Sequence, residues 1–489
     1  MKQFLKISLL AITIFFISCD KNSPLEKNTS TNDDLNFFIW RGLNLYYLWQ
    51  KDVPDLADDR FYNYDDLYTY FGEYNSPEAV FESLLNRPDD RFSIIVDDYI
   101  ALENSFQGLN LSNGMEFGLV TYKNGSSNVY GYVRYVVPNS SAESENVTRG
   151  MIFNTVDGSQ ITINNYLELL FSSNTNYTIG LADFNDGNPI ENGTTISLEK
   201  TELQENPIAT SKIFTEGSQK IGYLMYNQFA RNYDSQLNAA FANFKSENIN
   251  DLIVDLRYNP GGSVSTATYL GSMITGQFTG ELYSQEIWND KATAAWSSDV
   301  FLNNFTDQIR NVDTDGSVIL EETINSLGLN RIYFIVSYGS ASASELVINA
   351  LSSHIQVNLI GETTRGKQQG SITLYDSENL QRTGDNLNTN HTYAMQPLVL
   401  EISNKDGVNY PEGIIPGSIN FPGIELGEDY GNLGVLGERS DPLLDETLNY
   451  ITTGLKSSAK TSKKLNFKEI YDSKLAIPAS DYMFVNPRK

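Results

Sequence analysis

The sequence predicts an α+β multidomain chain, with an N-terminal helical segment and a small β domain ahead of an α/β core. Three observations carry this expectation. Aromatic side chains recur at helical spacing in the first hundred residues, with Phe37, Trp40, Leu43 and Tyr47 near a 3.6-residue period. Short alternating strands with Gly and Asn turns then fill 106–202, at 115–122, 129–137 and 195–200. From about 218, nearly continuous apolar runs at 221–226, 251–256, 331–337 and 356–361 alternate with helical patterns. Such runs suit parallel strands covered on both faces and joined by right-handed crossovers.

Composition limits the chemistry. The 489 residues suggest about three domains. Sixty-one Asp and Glu against 34 Lys and Arg leave a net charge of −27, which argues against nucleic acid as a partner. One cysteine excludes an internal disulfide framework and a multi-thiolate zinc site. Two histidines leave little room for a His-rich metal site or a His-based triad.

The chain opens with Lys2 and Lys6 and an apolar run over 7–17, too short for a mature span, which needs about 20 residues. The run ends in Phe16-Ile17-Ser18-Cys19, which resembles a bacterial lipoprotein signal, although Phe16 stands where an aliphatic residue is usual. That resemblance implies a signal peptide over 1–18, lipid on Cys19, a polar tether over 19–34, and a cell-envelope location, periplasmic or surface-facing.

Residues 35–105 are expected to form a helical domain packed on another domain, with no chemistry of its own. Pro77 suits the first turn of a helix running to Leu85. In 106–202, a strand, a Pro-Asn turn, a short helix, an Arg-Gly turn and a Val-Asp-Gly turn before a helix resemble a PDZ domain. Glu116-Phe117-Gly118-Leu119 is then expected to be a loop. The N–H groups of Phe117, Gly118 and Leu119 would receive a peptide carboxylate, while the peptide adds as a strand. The α/β core is expected over 203–455, with helices at 235–244, 264–274 and 344–352 and an insertion at about 280–328. A helix within 441–454 and a polar, lysine-containing tail over 456–489 close the chain.

Three segments place unusual residues at the carboxyl ends of core strands, where ligand sites of open α/β sheets gather. They are Asp255 to Gly262, Tyr338 to Glu345, and Gly361 to Lys367. Ser342 falls at a helix N-terminus. With Glu345 it reads first as a capping box, and second as an exposed hydroxyl beside the Ala343 N–H, where an oxyanion could be held. A serine nucleophile needs a base. His354 would lie about 18 Å along the same helix from Ser342, and His391 follows no strand. Lys367, on a Gly-flanked loop after the next strand, is the better candidate. Burial and a nearby cation such as Arg365 or Arg257 would lower its pKa.

Here the sequence resembles the C-terminal processing peptidases, or tail-specific proteases, which use a Ser–Lys dyad. Ser340-Ala-Ser342-Ala-Ser344-Glu345 matches their nucleophile run, Gly361-Glu-Thr-Thr-Arg-Gly-Lys367 their lysine loop, and the 25-residue separation their spacing. Asp255 to Gly262 and Gly413-Ile-Ile-Pro416 match two further elements. The resemblance covers about 35–455 and implies a crotonase-like protease core. It makes Ser342 the nucleophile and Lys367 the base, with N–H groups of Ala343 and Gly262 or Gly261 as the oxyanion hole. It requires no cofactor and no metal. Where many members carry a Gln four residues after the lysine, this chain has Ser371; Gln368, Gln369 or Ser371 could substitute. The function implied is a serine endopeptidase acting on polypeptides near C-termini presented by the PDZ-like domain. The alternatives are a catalytically weak, lipid-anchored binding protein on the same fold, and a Ser–Lys hydrolase of small esters.

Two other patterns compete. Gly361-x4-Gly366-Lys367 nearly matches a phosphate-binding loop but has Gln368 where magnesium needs Ser or Thr. Asn311-x-Asp313-x-Asp315-Gly316-x5-Glu322 has the spacing of an EF-hand loop, with calcium left open.

Overall fold

The computed structural model describes residues 31–457, except 88 and 314, together with 469–477 and 479–485. Cys19, the signal-like segment and most of the tether lie outside the described residues.

Helix α1 (Thr31–Tyr46) begins inside the stretch expected as tether, with Asp33 and Asp34 favourably placed in its first turn. Its buried stripe is Leu35, Phe38, Ile39 and Leu43, while Phe37 and Trp40 pack half-buried beside it. Two short helices follow, α2 (Tyr64–Phe71) and α3 (Pro77–Ser83). Asn63 and Ser76 cap them, each accepting a backbone N–H, and Pro77 stands in the first turn of α3. The segment is not wholly helical. Ile94–Val96 pairs antiparallel with Ala394–Gln396, which stitches it to the core.

The β domain comprises β1 (Met115–Thr121), β2 (Val129–Val136), β3 (Ile152–Val156), α4 (Tyr166–Phe171), β4 (Asn176–Asp183) and β5 (Ile190–Glu199). The five strands lie in sequence order, all antiparallel. Phe117, Leu119, Val133, Phe153, Ile179 and Leu198 form its own core. Residues 116–119 therefore lie within strand β1 and not on a loop. Strand alternation turns Phe117 and Leu119 into the core, and Gly118 lies against the Tyr132 ring.

The α/β core begins with β6 (Ile208–Glu216), β7 (Gln219–Tyr226), α5 (Asp234–Ser246), β8 (Asp251–Asp255), β9 (Gly262–Ser263) and α6 (Val264–Ile274). It continues with β10 (Arg331–Val336), α7 (Ala343–Ser352), β11 (Gln356–Gly361), β12 (Gln369–Ser371), β13 (Leu398–Asn404), β14 (Gly423–Glu425) and α8 (Pro442–Thr453). The main sheet has the order β6-β7-β8-β10-β11-β14 and is parallel from β7 onward. Both faces are covered, as continuous apolar runs require. Leu224, Val254, Phe334 and Leu359 meet α5, α6 and α7, whereas Tyr223, Ile253, Ile335 and Ile360 meet Leu444 and Leu448 of α8.

The last described strands are β15 (Glu469–Asp472) and β16 (Met483–Phe484). The expected polar tail is thus folded onto the body in its described part. Ile470, Tyr471, Tyr482 and Met483 give it apolar side chains to bury. β15 adds antiparallel to β1 at the edge of the β domain, and β16 lies between β9 and β12, parallel to both. That second sheet continues through β13 to Leu282–Trp288 and Leu302–Asn304 from the insertion. Among the described residues no helix is long and apolar enough to cross a membrane.

Candidate active site

The loops after β8, β10 and β11 converge at one end of the main sheet. The first is held by buried charge. Arg257 is fully buried and pairs with Asp255 at 2.7 Å, Asp441 at 3.0 Å and Glu428 at 3.1 Å. Burial pushes Glu428 up, but Arg149 and Arg257 outweigh it and hold the carboxyl at about 2. Asn259 then fixes the turn, donating to the Tyr226 carbonyl (2.9 Å) and accepting the Gly261 N–H (2.9 Å). Gly261 and Gly262 have φ of +129° and +135°. A Cβ on Gly261 would lie 2.7 Å from the Ser342 Cβ, so glycine is what allows this loop to lie against the serine.

The serine run is laced to that loop by its outer members. Ser340 Oγ donates to the Leu256 carbonyl (2.8 Å) and Ser344 Oγ to the Asn259 carbonyl (2.9 Å). Ser342 differs from both. Its backbone stands at φ +63° and ψ −117°, a conformation that costs about 1–3 kcal/mol for a residue with a side chain. Its Oγ is buried without a hydrogen-bond partner. Ala343 is the first residue of α7, so its N–H has no acceptor within the helix.

Glu345 joins the serine to the lysine loop. The buried carboxylate accepts the Ser342 N–H (3.0 Å), the Thr364 hydroxyl (2.5 Å), the Gly366 N–H (2.7 Å) and the Lys367 N–H (2.8 Å). Burial raises its pKa, and these four donors oppose that rise. The loop is also clamped by the 413–416 element, where Ile414 N–H donates to Thr364 Oγ1 at 2.7 Å.

Lys367 is completely buried. Its Nζ donates to the Asp481 carbonyl (2.8 Å), lies 3.5 Å from Asp481 Oδ1, and sits 3.7 Å from the Tyr482 ring centre and 4.5 Å from that of Phe92. Burial lowers its pKa to about 8, helped by Arg365 and opposed by Asp481 and Asp90. Arg257, the other cation expected to act on it, is spent in the carboxylate cluster. Ser342 and Lys367 line one narrow crevice, together with Glu345, Gln368, Tyr410 and Met483. Of the three side chains considered for the third role, Gln368 lines this crevice and its buried Nε2 has no partner. Ser371 Oγ donates to the Met483 carbonyl at 3.3 Å, and Gln369 is not part of the lining.

Both competing patterns are committed to contacts within the fold. The Gly366 and Lys367 N–H groups that would cradle a phosphate are taken by Glu345. The acidic 311–322 stretch belongs to a β hairpin, and Glu322 turns away to accept from Ser235 (2.5 Å) and Asn238 (3.3 Å). His354 binds the Leu282 carbonyl and His391 meets Asp376, both away from the crevice. Sequence reasoning missed Asp90 and Phe92 from the segment expected to be inert, and Asp481 and Tyr482 from the tail. The apolar Tyr482-Met483-Phe484 run was the available signal for the tail; nothing local marked Phe92.

Comparison with known proteins assigns two stretches of the chain to a family. Residues 220–398 match peptidase family S41, and residues 34–94 match the peptidase S41 N-terminal domain. The chain carries the domains of peptidase family S41. The S41 core spans β7 through the start of β13, and the N-terminal domain is the helical segment of α1 to α3. Carboxyl-terminal-processing peptidase 2 of Arabidopsis thaliana is 27% identical over 193 residues, 38% of this chain and 32% of that protein. The carboxy-terminal-processing protease of Bartonella bacilliformis is 24% identical over 321 residues, 60% of this chain and 66% of that protein. The matches thus span less than two thirds of these relatives' own length. In fold, a Bacteroides fragilis chain assigned to the S41 proteases superposes with a TM-score of 0.62 at 22% identity, covering 86% of this chain and 98% of that one.

Proposed function

We propose that this S41 chain is a serine endopeptidase that cleaves polypeptides near C-termini, using Ser342 and Lys367. One observation carries the reading. Of three serines in the run, only Ser342 has a free, buried hydroxyl on a strained backbone, and it shares a crevice with a fully buried lysine. Ser342 Oγ attacks the scissile carbonyl and neutral Lys367 takes its proton. The lysine then returns a proton to the leaving amine as the C–N bond breaks, and water hydrolyses the acyl-enzyme. The N–H groups of Ala343 and, once its pairing with β16 is released, Gly262 stabilise the oxyanion; the Gly261 N–H is occupied by Asn259. Gln368 is the better-placed third member. In this reading the β domain is PDZ-like, its edge strand β1 receiving peptide, the core is crotonase-like, and lipid on Cys19 holds the chain in the cell envelope, facing the periplasm or the surface.

A second reading, a peptide-binding protein with a silent site, is favoured by the Lys367 hydrogen bond running to Asp481 and not to Ser342. Cleavage of an unfolded protein by wild type, Ser342→Ala and Lys367→Ala separates the two. Loss of cleavage in both variants is expected; equal cleavage by all three chains refutes the dyad.

A further inference from the structure

We propose that segments 469–477 and 479–485 are a resident peptide ligand that fills both the edge of the β domain and the crevice over Lys367, so that a polypeptide substrate enters by displacing them. The inference rests on reading the crevice as a peptidase site.

The first segment lies where a strand-adding peptide would lie. β15 pairs antiparallel with β1, matching Glu469 with Val120, Tyr471 with Leu119 and Asp472 with Gly118. The Tyr471 ring packs between β1 and α4, 5.4 Å from the Tyr166 ring centre and 5.0 Å from that of Phe171. Ser473 Oγ accepts the Phe117 N–H at 2.9 Å and donates to Glu116 at 2.6 Å. Arg134, buried in β2, pairs with Glu469 at 2.6 Å and Asp472 at 3.4 Å. An edge strand, an apolar trough and a few specific polar anchors are the elements of peptide recognition by strand addition.

The second segment closes the crevice. β16 inserts between β9, which carries Gly262, and β12, which follows Lys367. Met483 lines the crevice beside Ser342, and Val485 N–H donates to the Ser371 carbonyl at 3.2 Å. The Lys367 Nζ is turned onto the Asp481 carbonyl, while Ser342 Oγ is left without a partner. The segment therefore occupies the base without offering the serine a hydrogen-bonded carbonyl. It is held as an inhibitor is held, not as a scissile bond. Tethering gives it an effective concentration of the order of millimolar, above that of a dilute free substrate.

The test compares the full chain, a chain lacking residues 466–489, and a full-length Tyr471→Ser/Met483→Asp variant. The readouts are cleavage of an unfolded protein and anisotropy of a fluorescein-labelled synthetic 466–489 peptide. Deletion and double substitution are expected to raise the initial rate at least tenfold. Both altered chains should bind the labelled peptide saturably while the full chain does not, and added peptide should restore the low rate. Equal rates in active full and altered chains overturn the proposal. So does failure of the labelled peptide to bind either altered chain with native circular dichroism. If no chain cleaves, yet the altered chains alone bind the peptide, the ligand role stands and the peptidase reading falls.

Discussion

The charge state of Lys367 can be moved through Asp481 without touching either residue of the proposed dyad. With a pKa of about 8, roughly one lysine in ten is neutral at pH 7, against about one in 3,000 at the ordinary value of 10.5. Asp481 raises that pKa, with its Oδ1 3.5 Å from Nζ. Even at the dielectric constant of water a charge pair at this distance is worth about 1 kcal/mol, close to one pKa unit. Asp481→Asn keeps the backbone carbonyl and the packing but removes the charge. Burial and Arg365 then act against Asp90 only, and the pKa falls to about 7. The neutral fraction at pH 7 rises about fivefold. The rate of Ser342 modification by a small fluorophosphonate, followed from pH 5.5 to 10.5, reports this directly. Wild type should reach its plateau above about pH 9 with a midpoint near 8, and the variant's midpoint should lie about one unit lower. A wild-type rate still climbing tenfold per unit at pH 10, or a variant midpoint that is unchanged or higher, would refute the electrostatic account.

Other expectations follow from single contacts. Gly261→Ala pushes a Cβ into Ser342 and should lower kcat/KM about 100-fold or more, with KM changing less, in steady-state assays. Ser344→Ala removes the hydroxyl donor of the buried Asn259 carbonyl, which keeps the Ala341 N–H, and should cost about 0.5–1.5 kcal/mol by thermal unfolding, yet retain fluorophosphonate labelling that Ser342→Ala abolishes. Glu345→Gln turns an amide NH2 toward backbone N–H donors and should destabilise the chain by about 3 kcal/mol, read as a drop in Tm. Added calcium should leave Tm unchanged, because Glu322 is committed to Ser235 and Asn238; a rise would restore the cation reading of the hairpin.

Much of the core was legible because its signals are local. Short continuous apolar runs alternating with helical patterns suit strands buried on both faces, and four of them became β7, β8, β10 and β11 within a residue or two. Ser342 and Lys367 were legible for a related reason: both follow such strands, and parallel neighbours bring their ends together. What sequence pattern could not reach is contact between distant segments. Phe92 and Tyr482 flank the Lys367 ammonium although they stand far apart in the chain. Residues 116–119 read as a loop because Glu-Phe-Gly-Leu fits the carboxylate-binding pattern of the PDZ resemblance, yet the Tyr132 ring fills the space beside Gly118 and the strand continues. The outer residues of 456–489 are polar enough to mask a short apolar strand whose burial depends on an opening between β9 and β12. Asn259 taking the Gly261 N–H is a side-chain choice that no spacing encodes.

Glu345 has a mechanical consequence. Ser342 and Lys367 stand on separate loops of separate strands, so thermal motion of either would change the gap between them. One carboxylate grips the backbone of both, at Ser342 on one side and at Gly366 and Lys367 on the other. The two loops are thereby braced as a single jaw. The strand over the crevice can leave or be exchanged for another while the spacing across that jaw is kept.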